Sequence, residues 1–254
     1  MKITILGSGS AGGVPLIGNN WGNCDPNDPR NRRTRCSALV EEGDISLLID
    51  TSPDLRQQLL ACGLKNLTAV LYTHMHADHT HGIDELRSVN WLTGKPVPIY
   101  ADPVTLEDIQ NRFKYIFLRK SQSDPFKKPY IEPHVIEGPL GFGPVKVTPI
   151  RQTHGRIHSI GYRFNGMAYS TDISDLDDEA FAALEGIKTW VVGSIRENPH
   201  PAHAPLEQII SWARRIGPER VYLTHMDQTM DYEKLKAGLP PGMEPAYDGL
   251  VIEC

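Results

Sequence analysis

Short apolar runs alternate along the chain with longer stretches in which apolar residues recur every three or four positions. The runs Lys2–Leu6, Leu39–Glu41, Ser46–Ile49, Ala69–Tyr72, Val97–Tyr100, Val145–Ile150, Ile160–Phe164, Met167–Ser170, Trp190–Val192 and Val221–Leu223 predict strands. Most are short and bounded by Gly, Pro, Asn or Asp. The helical pattern predicts helices over Pro53–Cys62, Ile83–Leu92, Pro103–Phe117, Asp177–Leu184 and Pro205–Ile216. Pro53 and Pro205 are expected in first turns, and Gly63 and Gly217 as stops. The order runs β-rich, mixed, β-rich, mixed. It fits two packed sheets between outer helices, and an ordinary doubly wound sheet fits the same pattern. No linker composition or internal repeat divides the chain, so one domain over 1–254 is expected. Arg119–Pro133, polar and proline-bearing with Lys127 and Lys128 adjacent, reads as a surface loop or an active-site flap.

Charge narrows the partners. The chain has 254 residues, 26 Lys+Arg and 31 Asp+Glu, a net charge of −5. A broad basic footprint for nucleic acid is therefore not expected. No apolar run approaches the roughly 20 residues that span a bilayer. Met1–Gly7 is too short for a secretory leader and breaks into glycines. Cys24, Cys36, Cys62 and Cys254 form no zinc-ribbon or thioredoxin-like pair, and a cytoplasmic location with reduced thiols is expected. Gly7, Gly9 and Gly12 match G-x-G-x-x-G after a strand. A dinucleotide site needs a helix next, and Pro15, Gly18, Asn19 and Asn20 interrupt one. The segment reads instead as a tight loop that allows close backbone approach.

His74, His76, Asp78 and His79 fall within six residues directly after Ala69–Tyr72, with His81 and Gly82 following. Side chains alternate in extended chain, so His74 and His76 can face one point. A turn can then carry Asp78 and His79 a few ångströms on. Imidazole and carboxylate donors suit zinc, iron or manganese. Two cations need more donors. His154, Asp172 and His225 each follow a predicted strand, where sites converge on one sheet edge. Asp172 can bridge two cations about 3.5–4 Å apart. Read singly, each of the three is equally a cap or a core polar group.

The H-x-H-x-D-H stretch, followed by His154, Asp172 and His225, resembles the metallo-β-lactamase superfamily along the whole chain. The resemblance implies a four-layer αββα fold, two mixed sheets packed between outer helices. It implies two divalent ions, zinc or manganese, with iron as a third choice. His74, His76 and His154 would hold one, Asp78, His79 and His225 the other, and Asp172 would bridge. True lactamases usually carry Cys where this chain has Asp172, so lactamase activity is not implied. Gly7-Ser8-Gly9-Ser10, Gly13-Val14-Pro15, Arg33-Thr34-Arg35-Cys36-Ser37, Asp50-Thr51-Ser52-Pro53-Asp54-Leu55-Arg56 and Pro245-Ala246-Tyr247-Asp248-Gly249 resemble, more narrowly, the PhnP-type cyclic phosphodiesterases. Those act on phosphoribosyl 1,2-cyclic phosphate in carbon–phosphorus lyase metabolism. Their general-acid histidine matches His203, with His200 a second choice. The chain departs twice. Relatives carry a cysteine cluster and a late histidine for a structural zinc; here only Cys24 remains, so no structural zinc is expected. Relatives often have Asp where this chain has Gly193, which removes a carboxylate able to orient a ligand.

The implied reaction is attack of a metal-bridging hydroxide on phosphorus. Protonated His203 would donate to the leaving alkoxide, a task that an ordinary near-neutral imidazole suits. Asp78 can also orient the nucleophile, and Asp50 reads as a support. Arg33 and Arg35 read either as phosphate contacts or as a solvated loop. His81 reads as a neighbour that orients a ligand; His134 and His158 carry no role. The expected partner is a small phosphodiester, in a monomer or homodimer. Rivals are a tRNA 3′-processing endonuclease, a thioester hydrolase, and a non-enzymatic cofactor or ligand binder.

Overall fold

The computed structural model describes residues 1–117 and 130–253. In chain order the strands are β1 Lys2–Gly7, β2 Ser37–Glu42, β3 Ile45–Ile49, β4 Ala69–Leu71, β5 Val97–Ala101, β6 Ile131–Val135, β7 Leu140–Phe142, β8 Val145–His154, β9 Ile157–Phe164, β10 Met167–Ser170, β11 Thr189–Gly193, β12 Arg220–Thr224, β13 Met243–Pro245 and β14 Val251–Glu253. The helices are α1 Leu55–Cys62, α2 Ala77–Thr80, α3 Leu86–Thr93, α4 Pro103–Arg112, α5 Lys114–Phe117, α6 Asp178–Leu184, α7 Leu206–Ile216 and α8 Tyr232–Gly238.

The strands form two seven-stranded sheets, ordered β14-β1-β2-β3-β4-β5-β6 and β13-β12-β11-β10-β9-β8-β7. Each sheet is mixed. Pairing is antiparallel from β14 through β3 and from β7 through β10, and parallel from β3 through β6 and from β10 through β13. Strand alternation explains the layering, because successive side chains face opposite ways. Leu47 and Ile49 point between the sheets, against a cluster with Val147, Tyr162, Phe164 and Tyr169. Leu48, between them, points outward, into a cluster with Leu55 of α1, Val89 of α3 and Ile109 of α4. On the far side, Trp190 and Val192 of β11 join Leu184 of α6 and Ile209 and Trp212 of α7. Four layers result, αββα, as the resemblance implied.

Some elements differ from the sequence expectation. β6 occupies part of Arg119–Pro133, and the remainder of that segment lies outside the described residues except Tyr130. β7, β13 and β14 are edge pieces of three residues each, too short for a period-two pattern to register. One turn of helix, α2, carries Asp78 and His79. Pro53 and Pro205 do not sit in first turns: α1 begins at Leu55 after the N-cap Asp54, and Pro205 is itself the N-cap of α7. Gly63 and Gly217 do end α1 and α7, in the left-handed conformation at φ 67° and 72°.

Asp248 ties distant chain together. Its carboxylate accepts from the Ser8 amide at 2.8 Å and hydroxyl at 2.9 Å, and from the Thr34 amide at 2.7 Å and hydroxyl at 2.6 Å. The glycine segment is thereby held beside the 33–35 stretch. A Cβ on Gly7 would lie 2.0 Å from the Arg35 carbonyl, and one on Gly9 2.8 Å from the Thr34 carbonyl, so only glycine allows this approach.

Leu47 is fully buried between the sheets, whereas Leu60 on α1 is 66% exposed. Leu47→Ala is expected to lower unfolding free energy by about 2–5 kcal/mol. Leu60→Ala should stay within about 0.5 kcal/mol of the parent. Urea unfolding of both checks the layer assignment, and similar losses would contradict it.

Candidate metal centre

The C-terminal ends of β3, β4, β8, β10 and β12 lie on one edge of the sandwich, and each delivers a polar side chain there. Asp50 follows β3, and Thr73 and His74 follow β4. His154 ends β8, Asp172 follows β10 and His225 follows β12. Asp50, Asp172 and His225 have φ values of 61°, 52° and 58°. Non-glycine residues at positive φ are uncommon and cost of order 1–3 kcal/mol, a strain that clusters at functional sites. Here the reversal turns each side chain back over the sheet edge.

Four overlapping donor groups result among the described residues, two of them through Asp172, which joins His74 and His79 in one and His154 and His203 in the other. The ligating atoms of His74, His76 and His154 lie within 4.8 Å of one another, as do those of Asp78, His79 and His225. Asp172 spans the groups. Its Oδ2 lies 3.2 Å from His79 Nε2 and 3.3 Å from His225 Nε2, and its Oδ1 lies 3.6 Å from His154 Nε2. The structure thus brings together all seven residues that the resemblance singled out.

Hydrogen bonds set the tautomers. Asp50, fully buried, accepts from the Thr73 amide at 2.7 Å, the Thr73 hydroxyl at 2.8 Å and His79 Nδ1 at 2.7 Å. The Thr73 oxygen, its proton committed to Asp50, accepts from His74 Nδ1 at 3.0 Å. His154 Nδ1 donates to the Ala202 carbonyl at 2.7 Å. The Nε2 atoms of His74, His79 and His154 are left facing the centre, those of His74 and His154 with their lone pairs. His74 Nε2 and His154 Nε2 sit 2.9 Å and 3.3 Å from His76 Nδ1. Zinc held tetrahedrally at its usual 2.0–2.1 Å from imidazole sets nitrogens roughly 3.3 Å apart. His79 Nε2 is buried 3.2 Å from oxygens of both Asp78 and Asp172, without the alignment of a hydrogen bond to either. A divalent cation fits these residues: it would satisfy that nitrogen and remove the lone-pair repulsion.

The charges differ between the groups. Burial, with the charges of His79, His76 and His154, holds His74 well below the usual imidazole range, and burial also lowers His76. Burial alone would lower His79, but Asp78, Asp172 and Asp50 outweigh it and hold the ring well above its usual value. His225 is raised in the same way, with burial outweighed by Asp172 and Asp78. Burial would raise Asp78 and Asp172, yet the neighbouring histidines hold both well below the carboxylate range.

His203 stands beside these groups. Its Nε2 is 3.8 Å from Asp172 Oδ1, and its ring stacks on His225 at 5.4 Å. Its loop is anchored by the Ala202 carbonyl on His154 and by the Ala204 amide on the Ile173 carbonyl at 2.7 Å. Burial chiefly, with His225, His154 and His200 adding, pushes His203 down to about 3 against the pull of Asp172. The near-neutral value expected from sequence does not hold in this environment, even with the Asp172 carboxylate beside the ring. His200, ring centroid 4.9 Å from that of His203, is farther out.

The remaining expectations are corrected or refined. Arg33 is neither a phosphate contact nor a solvated residue: it is buried, beside Cys24. Arg35 pairs with Asp54 at 3.0 Å. Gly193 packs against the turn that aims Asp172, where a Cβ would lie 3.1 Å from the Asp172 amide nitrogen. His79 already takes its carboxylate partner from Asp50, on the other sheet. His81 meets Phe113 edge-on at 5.6 Å, and His134 stacks on Tyr100 at 4.7 Å. Thr73 was missed in the sequence, because a lone threonine after a strand carries no spacing signal.

With this geometry in view, residues 46–226 match the β-lactamase superfamily domain. A solved diphosphatase of the PhnP family is 35% identical, with a TM-score of 0.91, covering 100% of this chain and 97% of that one. An octanoyltransferase of Porphyromonas gingivalis (strain ATCC BAA-308 / W83) is 34% identical over 98% of this chain and 51% of its own length. The coenzyme PQQ synthesis protein B of Methylorubrum populi is 35% identical over 44% of this chain and 40% of its own. The chain thus spans about half the length, or less, of these two curated relatives.

Asp50→Asn is expected to weaken metal binding about 10–100-fold, chiefly at the group containing His79, as seen when a ligand's orienting partner is lost. Metal titration of the apoprotein by calorimetry measures it. The same titration at pH 8 and pH 6 should show the Asp78–His79–His225 group losing affinity first. A cation must displace protons from its two imidazoles, whereas His74 and His76 are held neutral. Equal loss at both groups would contradict the assignment.

Proposed function

The chain belongs to the β-lactamase superfamily and to its PhnP-like branch, and we propose that it is a metal-dependent hydrolase of a small phosphodiester, of the phosphoribosyl 1,2-cyclic phosphate type. The observation that carries this reading is the pair of donor groups sharing Asp172, with His203 Nε2 3.8 Å from the shared carboxylate. The diphosphatase of the PhnP family, similar end to end, supports phosphorus as the reacting atom. The net charge of −5 argues against a long RNA substrate.

His74, His76 and His154 would hold one divalent cation and Asp78, His79 and His225 a second, with Asp172 between them; zinc and manganese suit this donor set. When bound, such ions supply Lewis-acid polarisation of phosphoryl oxygens and an acidified water. The chain's own residues then do three things. Asp78, held ionised by His79 and His225, orients the attacking water by accepting a hydrogen bond from it. His203 presents Nε2 to the leaving oxygen. A phosphoryl anion beside it raises the ring's proton affinity, so the substrate itself loads the acid that its departure needs. Asp50 and the Ala202 carbonyl keep the donor rings from turning away.

A second reading, hydrolysis of an acyl thioester, draws support from the Porphyromonas gingivalis octanoyltransferase, half of which this chain matches nearly end to end. The same donor groups would serve attack on an acyl carbon.

Phosphorus NMR of manganese- or zinc-loaded protein with 5-phosphoribosyl 1,2-cyclic phosphate, beside a chelated control, is expected to show metal-dependent ring opening. An unchanged spectrum from fully loaded protein, together with cleavage of an octanoyl thioester, would favour the second reading. His203→Ala is expected to keep its metal while turnover falls about 10²–10⁴-fold. Full turnover in that variant would remove His203 from the chemistry.

A further inference from the structure

Arg33 is 2% exposed, yet among the described residues its guanidinium meets no carboxylate at hydrogen-bond range. Nη1 donates to the Asp227 carbonyl at 3.2 Å and lies 3.8 Å from Cys24 Sγ. Nη2 donates to the Met230 carbonyl at 2.6 Å and to Asn31 Oδ1 at 3.2 Å. Nε is buried without a partner. A buried cation served only by neutral acceptors is costly, and packing alone would favour an apolar side chain.

What the guanidinium grips is the segment just beyond His225. Asp227 and Met230 lie two and five residues past that histidine. The Asp227 amide donates to the Ile195 carbonyl at 2.9 Å, and its carboxylate lies 3.4 Å from Arg196 Nε, at the root of the loop that carries His200 and His203. Asn31 joins the same lattice, accepting from the Tyr232 amide at 2.8 Å and donating to Asp231 at 2.8 Å.

His225 needs such a grip. His74, His79 and His154 each have a ring nitrogen fixed by Thr73, Asp50 or the Ala202 carbonyl. His225 Nδ1 is buried with no hydrogen-bond partner. Its ring meets Asp78 and Asp172 only through Nε2, at 3.4 Å and 3.3 Å, and stacks on His79 and His203, so its aim rests also on its backbone, which sits at φ 58° just ahead of Met226, whose amide donates to the Ser8 carbonyl at 2.9 Å. We propose that Arg33 is a positioning residue: it clamps residues 227–230 and so sets the aim of His225 toward Asp78 and Asp172. The forked geometry matters, because one ammonium cannot bridge acceptors on both sides as two guanidinium nitrogens do.

The inference rests on the two-cation reading. The test is cobalt(II) titration of apoprotein, followed by visible absorption and calorimetry, with circular dichroism and melting temperature alongside. Wild type should take two equivalents; if it does not, the two-cation reading falls and this inference with it. Arg33→Met is expected to take one equivalent with wild-type affinity and to bind the other about 10–100-fold more weakly, the size of effect for lost ligand orientation. Arg33→Lys should lie between the two. Unchanged binding of both equivalents would overturn the proposal with the two-cation reading intact. Equal weakening of both, or failure of both variants to fold, would make Arg33 a general stability residue and would also overturn it.

Discussion

Asp50 is the group on which the rest of the centre depends. A carboxylate in full burial loses several kcal/mol of solvation. Here three short hydrogen bonds, from the Thr73 amide, the Thr73 hydroxyl and His79, offset part of that loss, and burial still holds the carboxyl above its usual range. Because Thr73 passes the constraint on to His74, this one side chain fixes a ring in each donor group. It stands at the end of β3, one strand from β4, so the parallel pairing of those strands sets its distance from the histidine motif. A carboxylate at position 193 is not needed for this purpose, and β11 uses the room that glycine leaves to press against the Asp172 turn.

The two sheets contribute unequally. The first supplies a local cassette, His74 to His79, in which strand end and single helical turn are continuous. The second supplies three donors from three separate strand ends, plus the His203 loop. The centre therefore reports on how the sheets are packed. Leu47, Ile49, Tyr162 and Tyr169 at the interface bear on chemistry they never touch. Tyr162 makes the link directly, its hydroxyl donating to the Tyr72 carbonyl at 2.5 Å, just ahead of Thr73 and His74.

What could be read from the sequence follows this division. The His74–His79 cassette was legible because its donors are close in the chain. His154, Asp172 and His225 were legible only as residues following apolar runs, and their grouping came from the resemblance. His203 came from the resemblance alone. Arg33 was misread because its burial is created by residues 227–230, nearly two hundred positions on, and an arginine in a polar stretch looks solvated. The left-handed conformations at Asp50, Asp172 and His225 were invisible, since only glycine advertises positive φ. The short edge strands lacked the residues to display a period.

Asp248 carries a consequence for the order in which the molecule assembles. It secures Ser8 and Thr34 across a separation of 240 and 214 residues, and the neighbouring β14 pairs with β1. Contacts so distant in sequence close late and slowly, since chain entropy must be lost before they form. During synthesis the first sheet can build β1 through β5 around its own core while its outer edge and glycine turn remain unsecured. The donors of the second sheet are still to come at that stage. Until β8, β10 and β12 dock, the His74–His79 cassette lacks the three donors of the second sheet, so a cation held as proposed would gain its full set of ligands only when the two sheets close together.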